Sequence, residues 1–518
     1  MKNLLSVVRL VSRQKLRKLD IVTEDTLDAK ASKFRQFYDA LQGGTVRNDR
    51  EAARLLYGAD PTDARYRQLK SRLRRRLLNT VFFVDRARGS GPGGIDAAEH
   101  ELRREWALVQ ILRVNGARDA AHAQARGMLS RAERYQLSDL TEAIAALLLA
   151  DAAAAGDRKA ARRYETLLDA GRIRRQRELS GAAALATLRL AYADARLRRL
   201  APADLADAER AHRTLGHIGR GADGGHDRVY YDGLEARALL AACTHRHAVT
   251  ADACRRAFAH AESGAVRRLG HAREHRFALL WARACVSERD LATGEGVLAA
   301  ARTRHRPASQ EADHVARLSA ALRLACGQPG DALDLARAAQ RRRGFRQRPA
   351  AEREAWALLS AFGRILARLT APSLAGRPPR ATLAAETETG GAPASDTPGF
   401  GERHARLAAL RLVAEIAQRR LDAPDGAGLG ERIGTLRHAA IKRLDPTADA
   451  RLIAFAQLLY RLERTGFDGR VDRVGERYLD DLRRAPHIVS LEPGGAYAPV
   501  DLADLLPAFG LDAAAALA

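Results

Sequence analysis

Apolar positions recur at helical spacing through most of the chain. Leu102, Trp106 and Val109 form one such run, and Leu185, Leu188 and Tyr192 form another. Spacings of three and four residues place side chains on one face of an α-helix. Alternating β-branched and aromatic runs, which are typical of strands, are missing. Ala, Leu and Arg dominate, and all three favour helices. The sequence therefore predicts an all-α protein.

Glycine and proline interrupt this pattern and predict where helices end. We expect breaks at Asn115-Gly116, Gly156-Asp157, Ser180-Gly181, Gly294 and 327–330. The first helices of successive pairs are expected near residues 105, 145, 182, 234, 278, 317 and 353. All but one of the intervals between them are about 36 to 44 residues, which is within the range of helical-hairpin repeats.

Two segments carry a repeat-like pattern. Residues 145–171 and 318–342 each run from an apolar helix through a short Gly-containing turn into an amphipathic helix. Ala332, Ala336 and Ala339 loosely resemble the small-residue positions of tetratricopeptide (TPR) repeats, although the full Trp, Leu-Gly and Tyr signature is absent. The resemblance covers 97–370. It implies antiparallel helical-hairpin repeats, a TPR-like solenoid with a protein partner in its groove, and no catalysis. An irregular helical bundle is the alternative.

Composition divides the chain into five segments. These are a basic helical N-terminal domain (1–85), a Gly-rich linker (86–96), the helical repeat array (97–370), a linker or disordered insertion rich in Pro, Gly and Thr (371–402), and a C-terminal helical segment (403–518).

The net charge of +24 changes this picture in one place. Arginine supplies 79 of the 87 basic residues, a bias typical of a GC-rich bacterial genome, so much of the excess needs no ligand. Residues 1–85, however, hold 19 Lys and Arg against 10 Asp and Glu, a net of +9. The charge therefore directs attention to the N-terminal domain.

The first 20 residues are basic and amphipathic. Arg9 interrupts their apolar core and no small-residue cleavage site follows, so they do not form a secretory signal. No apolar stretch approaches the ~20 residues of a membrane span. We expect a helix packed on the next domain rather than one at a membrane surface. A cytoplasmic location is expected, and membrane contact is not.

Residues 48–79 predict two consecutive helices. Asn48 or Asp49 can cap the first, which turns Ala52, Ala53, Leu55 and Leu56 inward and stops at Gly58. Residues 60–63 restart the chain into the second helix. The apolar stripe of that second helix is Tyr66, Leu69, Leu73 and Leu77.

The other faces of the second helix are strongly basic. They carry Arg65, Arg67, Lys70, Arg72, Arg74, Arg75 and Arg76. A helix that ends in glycine and is followed by a basic helix resembles a helix-turn-helix. The stretch 70–75, Lys-Ser-Arg-Leu-Arg-Arg, is similar to recognition helices of sigma-factor-type DNA readers, although the connection after Gly58 is longer than in that motif. The resemblance implies that these side chains contact the phosphates and base edges of DNA or RNA.

Motifs for catalysis and for metal binding are weak. The dipeptide Gly-Lys does not occur, so there is no phosphate loop, and H-E-x-x-H, C-x-x-C and Gly-x-Ser-x-Gly are missing. The string His271-x-x-Glu274-His275 matches the inverzincin pattern, and a second metal set can be drawn from the 243–254 region. Both fit a solvated helix or core thiols better. No catalytic residue, metal or cofactor is therefore expected.

These patterns favour a non-enzymatic helical-repeat interaction protein, a regulator that contacts nucleic acid through its basic N-terminal helix. The alternative is a protein–protein scaffold or adaptor. In that case the basic segment docks an acidic protein partner or a membrane surface.

Overall fold

The computed structural model describes most of the helical regions identified above. The described residues are Leu4, Val8, 33–46, 48–81, 95–195, 200–220, 227–263, 269–303, 310–342, Phe345, Arg348, 350–370, 400–423, 428–444, Pro446, 449–485 and 500–511. Within these residues the regular structure is entirely helical, which confirms the all-α prediction.

The chain forms two compact units, Met1–Ala132 and Glu133–Ala518. The helices of the first unit are α1 (Lys33–Gly43), α2 (Asp49–Tyr57), α3 (Ala64–Val81), α4 (Ile95–Val114) and α5 (Arg118–Arg134), the last of which ends two residues beyond the boundary.

The second unit continues with helices of 8 to 38 residues. They are α6 (Ser138–Ala154), α7 (Arg158–Ala195), α8 (Pro202–Arg220), α9 (Asp227–Cys243), α10 (His247–Ser263), α11 (His271–Glu288), α12 (Leu291–Thr303), α13 (Gln310–Ala325), α14 (Pro329–Gln340), α15 (Ala350–Thr370), α16 (Phe400–Asp422), α17 (Gly430–Arg443), α18 (Ala450–Arg464), α19 (Arg473–Arg484) and a C-terminal 3₁₀ helix (Leu502–Phe509).

Helices of the second unit pack against their neighbours in sequence order. From α6 to α19 each helix contacts the next, and α9, α11, α13 and α15 also contact one another in series. Contacts to both the next helix and the next but one arise when hairpins stack side by side. The arrangement is consistent with a helical-repeat solenoid.

One turn geometry joins many of these helices. In the turn before α7, Gly156 has a φ of 72°, and the Asp157 N–H donates to the Ala152 carbonyl over 3.0 Å. The turns at Gly116, His245, Arg289 and Gly327 repeat both features. A left-handed residue followed by a bond back across the turn is the Schellman motif. The breaks predicted at Asn115-Gly116, Gly156-Asp157 and 327–330 are confirmed.

Two predicted breaks are wrong. Helix α7 runs unbroken through Ser180-Gly181. Gly294 lies inside α12, and the turn that precedes this helix is at Arg289. Both glycines are close-packing positions. A Cβ on Gly181 would lie 3.3 Å from Leu215, and one on Gly294 would lie 2.5 Å from Leu322. Consequently the pair start expected near residue 182 is also wrong.

The predicted domain boundaries stay predictions. Helix α4 begins at Ile95 and α16 at Phe400, so the ends of the segments 86–96 and 371–402 are helical. Most of both segments lies outside the described residues. Among the described helices, none combines the length and the apolar composition that crossing a bilayer requires.

Candidate nucleic-acid interface

Helix α3 is held in place by its apolar stripe. Tyr66, Leu69, Leu73 and Leu77 are 0 to 4% exposed, and they share a core with Phe37 of α1 and with α2. This confirms the predicted stripe. Leu4 and Val8 are buried in the same core, as expected for an N-terminal segment that packs on this domain. The basic faces of α3 are therefore directed away from a fixed three-helix core.

The chain enters and leaves α2 as the sequence predicts. The Asn48 side chain accepts a hydrogen bond from the Glu51 N–H over 2.9 Å, and Gly58 ends the helix with a φ of 62°. Asp63 then accepts from the Arg65 N–H over 2.8 Å and starts α3. One inward assignment is wrong, because Leu55 is 48% exposed while Leu56 is buried.

Three of the seven predicted contact residues bind within their own unit. Lys70 Nζ lies 2.6 Å from Asp49 Oδ1 of α2. The Arg65 guanidinium lies 2.9 Å from the carboxylate of Asp63. The Arg76 guanidinium lies 5.0 Å from the centre of the Phe34 ring, within range of a cation–π contact. Lys70 thus joins α3 to α2 and Arg76 joins it to α1, whereas the pair of Arg65 with Asp63 lies at the start of α3 itself.

Asp49 is the main polar link between α2 and α3. Its Oδ1 accepts hydrogen bonds from Lys70 Nζ and from the Tyr66 hydroxyl, both over 2.6 Å. Burial alone would raise the pKa of Asp49, but the bonds from Lys70 and Tyr66 outweigh it and lower that pKa. Asp49 therefore stays ionised, and Lys70 has a fixed counter-charge.

The other four cations, Arg67, Arg72, Arg74 and Arg75, are exposed. Within the described part of the chain, no side chain hydrogen-bonds or ion-pairs with any of them. At about 100° per residue, Arg67 and Arg74 lie on one flank of α3, Arg72 on the other and Arg75 between them. The four define a basic surface opposite the core, here called the α3 arginine face.

The second unit holds buried charges that sequence reasoning missed. Glu235 of α9 is 1% exposed and pairs with Arg189 of α7 over 2.7 Å and with Arg276 of α11 over 2.9 Å. Asp232 of α9 lies 2.5 Å from Arg273 of α11. Burial raises the pKa of Asp232, and the charge of Arg273 opposes that rise.

A similar set links α13 to α15. Asp313 is fully buried and accepts from the Trp356 indole N–H over 3.2 Å. It also pairs with Arg317 over 3.4 Å and with Arg348. Because each buried carboxylate is bound to groups on a neighbouring helix, these charges join the helices of the array. In the sequence, such residues can be identified as acids or arginines at helix positions where the periodicity predicts a buried apolar side chain.

The two metal patterns of the sequence do not come together. Among the described residues, no group of three or more His, Cys, Asp or Glu side chains is arranged to hold a metal ion. Glu274 is buried, while Cys243 and Cys254 are buried free thiols. Burial raises the pKa of Cys254, so it is protonated at neutral pH.

Comparison with protein-family models, with curated proteins and with solved structures finds no match to this chain. The candidate site therefore rests on its own geometry.

Proposed function

We propose that this protein is a non-enzymatic interaction protein that binds nucleic acid through the α3 arginine face. The observation that carries the proposal is the division of the seven cations. Three are engaged within the unit, whereas Arg67, Arg72, Arg74 and Arg75 are exposed and unpaired among the described residues. Guanidinium groups suit phosphate, since they donate two parallel hydrogen bonds.

The array of helices would supply the second half of the function. We propose a TPR-like solenoid that takes a protein partner, so that the chain joins nucleic acid to a protein. The sequential contacts of α9, α11, α13 and α15 support stacked hairpins. The alternative, a scaffold whose α3 arginine face docks an acidic protein, rests on the same four side chains.

Binding to labelled duplex DNA and duplex RNA, measured by anisotropy across a salt series, tests the proposal. In the full chain, replacing Arg67, Arg72, Arg74 and Arg75 with Gln should weaken binding by about tenfold or more. It should also flatten the log–log salt dependence by up to about 3.6 units, at roughly 0.9 per phosphate contact.

A matched control separates local contact from net charge. Arg158, Arg162, Arg163 and Arg174 are exposed on α7, and replacing them with Gln removes the same charge. This control should keep most of the affinity and slope. Equal losses in both variants would mean that only the net charge matters, and no salt-sensitive binding by the parent chain would refute the proposal. Binding of an acidic protein that survives nuclease and depends on the four arginines would instead favour the scaffold.

A further inference from the structure

The C-terminal 3₁₀ helix lies across the array like a bound peptide. It contacts α15, α16 and α18. In addition, its Asp504 carboxylate lies 2.8 Å from the guanidinium of Arg289, which belongs to the turn between α11 and α12. A further repeat would stack on the last hairpin only. Contact with three separate hairpins is the way an extended ligand lies along a repeat array.

The side chains of this segment make two kinds of contact, apolar packing and ion pairs. Leu505, Leu506 and Phe509 are completely buried, and Leu502 is 3% exposed. The Phe509 ring packs against Phe455 and Phe467, with ring centres 6.2 and 6.0 Å apart. The apolar side of the segment thus fills a groove in the array.

The acidic side chains of the segment meet arginines at both edges of that groove. Asp501 lies 2.5 Å from Arg451 of α18, and Asp504 pairs with Arg289. Burial raises the pKa of Asp504, an effect that its bond to Arg289 opposes. Two acids placed against two arginines, with large apolar side chains between them, give this groove a defined charge and shape preference.

The chain between α19 and this segment is long. Residues 486–499 contain three prolines and the pair Gly494-Gly495. Fourteen residues can reach up to about 50 Å when extended. Because the segment and the groove belong to one chain, a tether of this length gives the segment a high effective concentration at the groove.

We propose that the groove formed by α15, α16 and α18, with Arg289 and Arg451 at its edges, is a peptide-binding site that residues 501–511 occupy in cis. Its ligand class is an acidic amphipathic peptide with the pattern Asp-Leu-x-Asp-Leu-Leu-x-x-Phe. A partner segment of this pattern would compete with the chain's own C-terminus. The inference goes beyond the proposed function and does not depend on nucleic-acid binding.

The test uses the full chain with a specific protease site placed at Gly494-Gly495 and a fluorescein-labelled peptide of residues 500–511. Before cleavage, the tethered segment should keep the labelled peptide out at micromolar concentration. After cleavage, the labelled peptide should exchange into the groove and bind at least about 100-fold more tightly, because the effective concentration of the competitor is lost.

Charge exchange supplies the specificity control. Arg289→Glu in the cleaved chain should weaken the parent peptide by about tenfold, and a peptide carrying Asp504→Arg should recover most of that loss. Arg341→Glu, at an exposed arginine outside the groove, should change neither affinity.

Two results would overturn the inference. In one, the cleaved chain retains its own segment and takes up no labelled peptide over a day. In the other, the cleaved chain loses cooperative unfolding or precipitates, which would make 501–511 an integral part of the core. If the Arg289 and Asp504 substitutions do not change the affinity of the labelled peptide, the groove lacks the charge preference proposed for it. That result would also count against the site.

Discussion

The Nζ atom of Lys70 lies 2.6 Å from Oδ1 of Asp49, so the lysine at the centre of the basic helix is bound to its own domain. The side chains of both residues are about one-third exposed. Lys70 therefore joins α2 to α3, and the α3 arginine face is left with four arginines. Substitution of Lys70 and substitution of an arginine of this face should therefore have different effects.

Lys70→Met should destabilise the N-terminal helices while hardly changing nucleic-acid affinity. The loss of its bond to Asp49 should cost about 1 kcal/mol or less, since solvent screens a partly exposed pair. Hydrogen exchange of peptides covering residues 49–77 measures this effect. Arg75→Gln is the matched variant, with unchanged exchange and roughly threefold weaker binding. If Lys70→Met weakens binding as much as Arg75→Gln does, Lys70 is a contact residue.

The Asp49 contacts should make the N-terminal unit acid-sensitive. A carboxyl whose pKa is lowered by folding contributes stability above its unfolded pKa of about 3.9, and that contribution disappears as the pH falls through the folded pKa. Exchange rates in Asp49→Asn should therefore exceed those of the parent chain at pH 6, and the two should converge as the pH falls through the lowered pKa of Asp49. A difference that persists unchanged at low pH would contradict this reading.

Two glycines of α12 should respond oppositely to alanine. At Gly294 a Cβ would lie 2.5 Å from Leu322 and 3.1 Å from Cys285, whereas at Gly296 nothing lies within 4 Å. Gly294→Ala should lower the unfolding free energy by about 1 to 3 kcal/mol through overpacking. Gly296→Ala should raise it by up to about 1 kcal/mol through helix propensity. Urea unfolding compares the two variants, and equal effects would show that Gly294 is not required for close packing.

Asp313 should be among the most sensitive charges in the array. Asp313→Ala would leave Arg317, which is 1% exposed, without its 3.4 Å carboxylate partner. The cost should be about 3 to 5 kcal/mol. Asp334→Ala removes an exposed acid of α14 that pairs with Arg337 three residues further along the same helix, and it should cost less than about 1 kcal/mol. Calorimetric unfolding distinguishes them, and similar values would mean that the buried set is not stabilising.

The four cysteines should differ in reactivity toward a thiol reagent. Burial raises the pKa of Cys285 to about 12, and Cys254 is completely buried. Cys326 is only half-buried, although burial raises its pKa as well. At pH 8 the reagent should therefore modify Cys326 of the native chain first, and the Cys326→Ser variant should lack this first phase of the reaction. Rapid modification of Cys254 before unfolding would contradict the packing.

The N-terminal helices could be predicted closely from the sequence because their signals are local. Asn48 and Gly58 act on backbone groups within a few residues, and the spacing of Tyr66, Leu69, Leu73 and Leu77 fixes which face is buried. The prediction that Leu55 faces inward was wrong because Leu55 borders the apolar stripe of α2, and only the neighbouring helices determine how wide that stripe is.

Glycine was ambiguous for a related reason. The same residue serves a left-handed turn at Gly156 and close helix packing at Gly294. Local sequence does not separate the two uses, because the second depends on Leu322, a residue of the following hairpin.

The sequence by itself determined the helices, the turns made by left-handed glycines and the location of the basic segment, since these depend on propensities and periods within one stretch of chain. Only the tertiary structure decided which charges are available to a ligand. Lys70 is bound to Asp49, Glu235 to Arg189 and Asp504 to Arg289, pairs separated by 21, 46 and 215 residues. An ion pair depends on distance in space, and that distance exists only after the helices have packed.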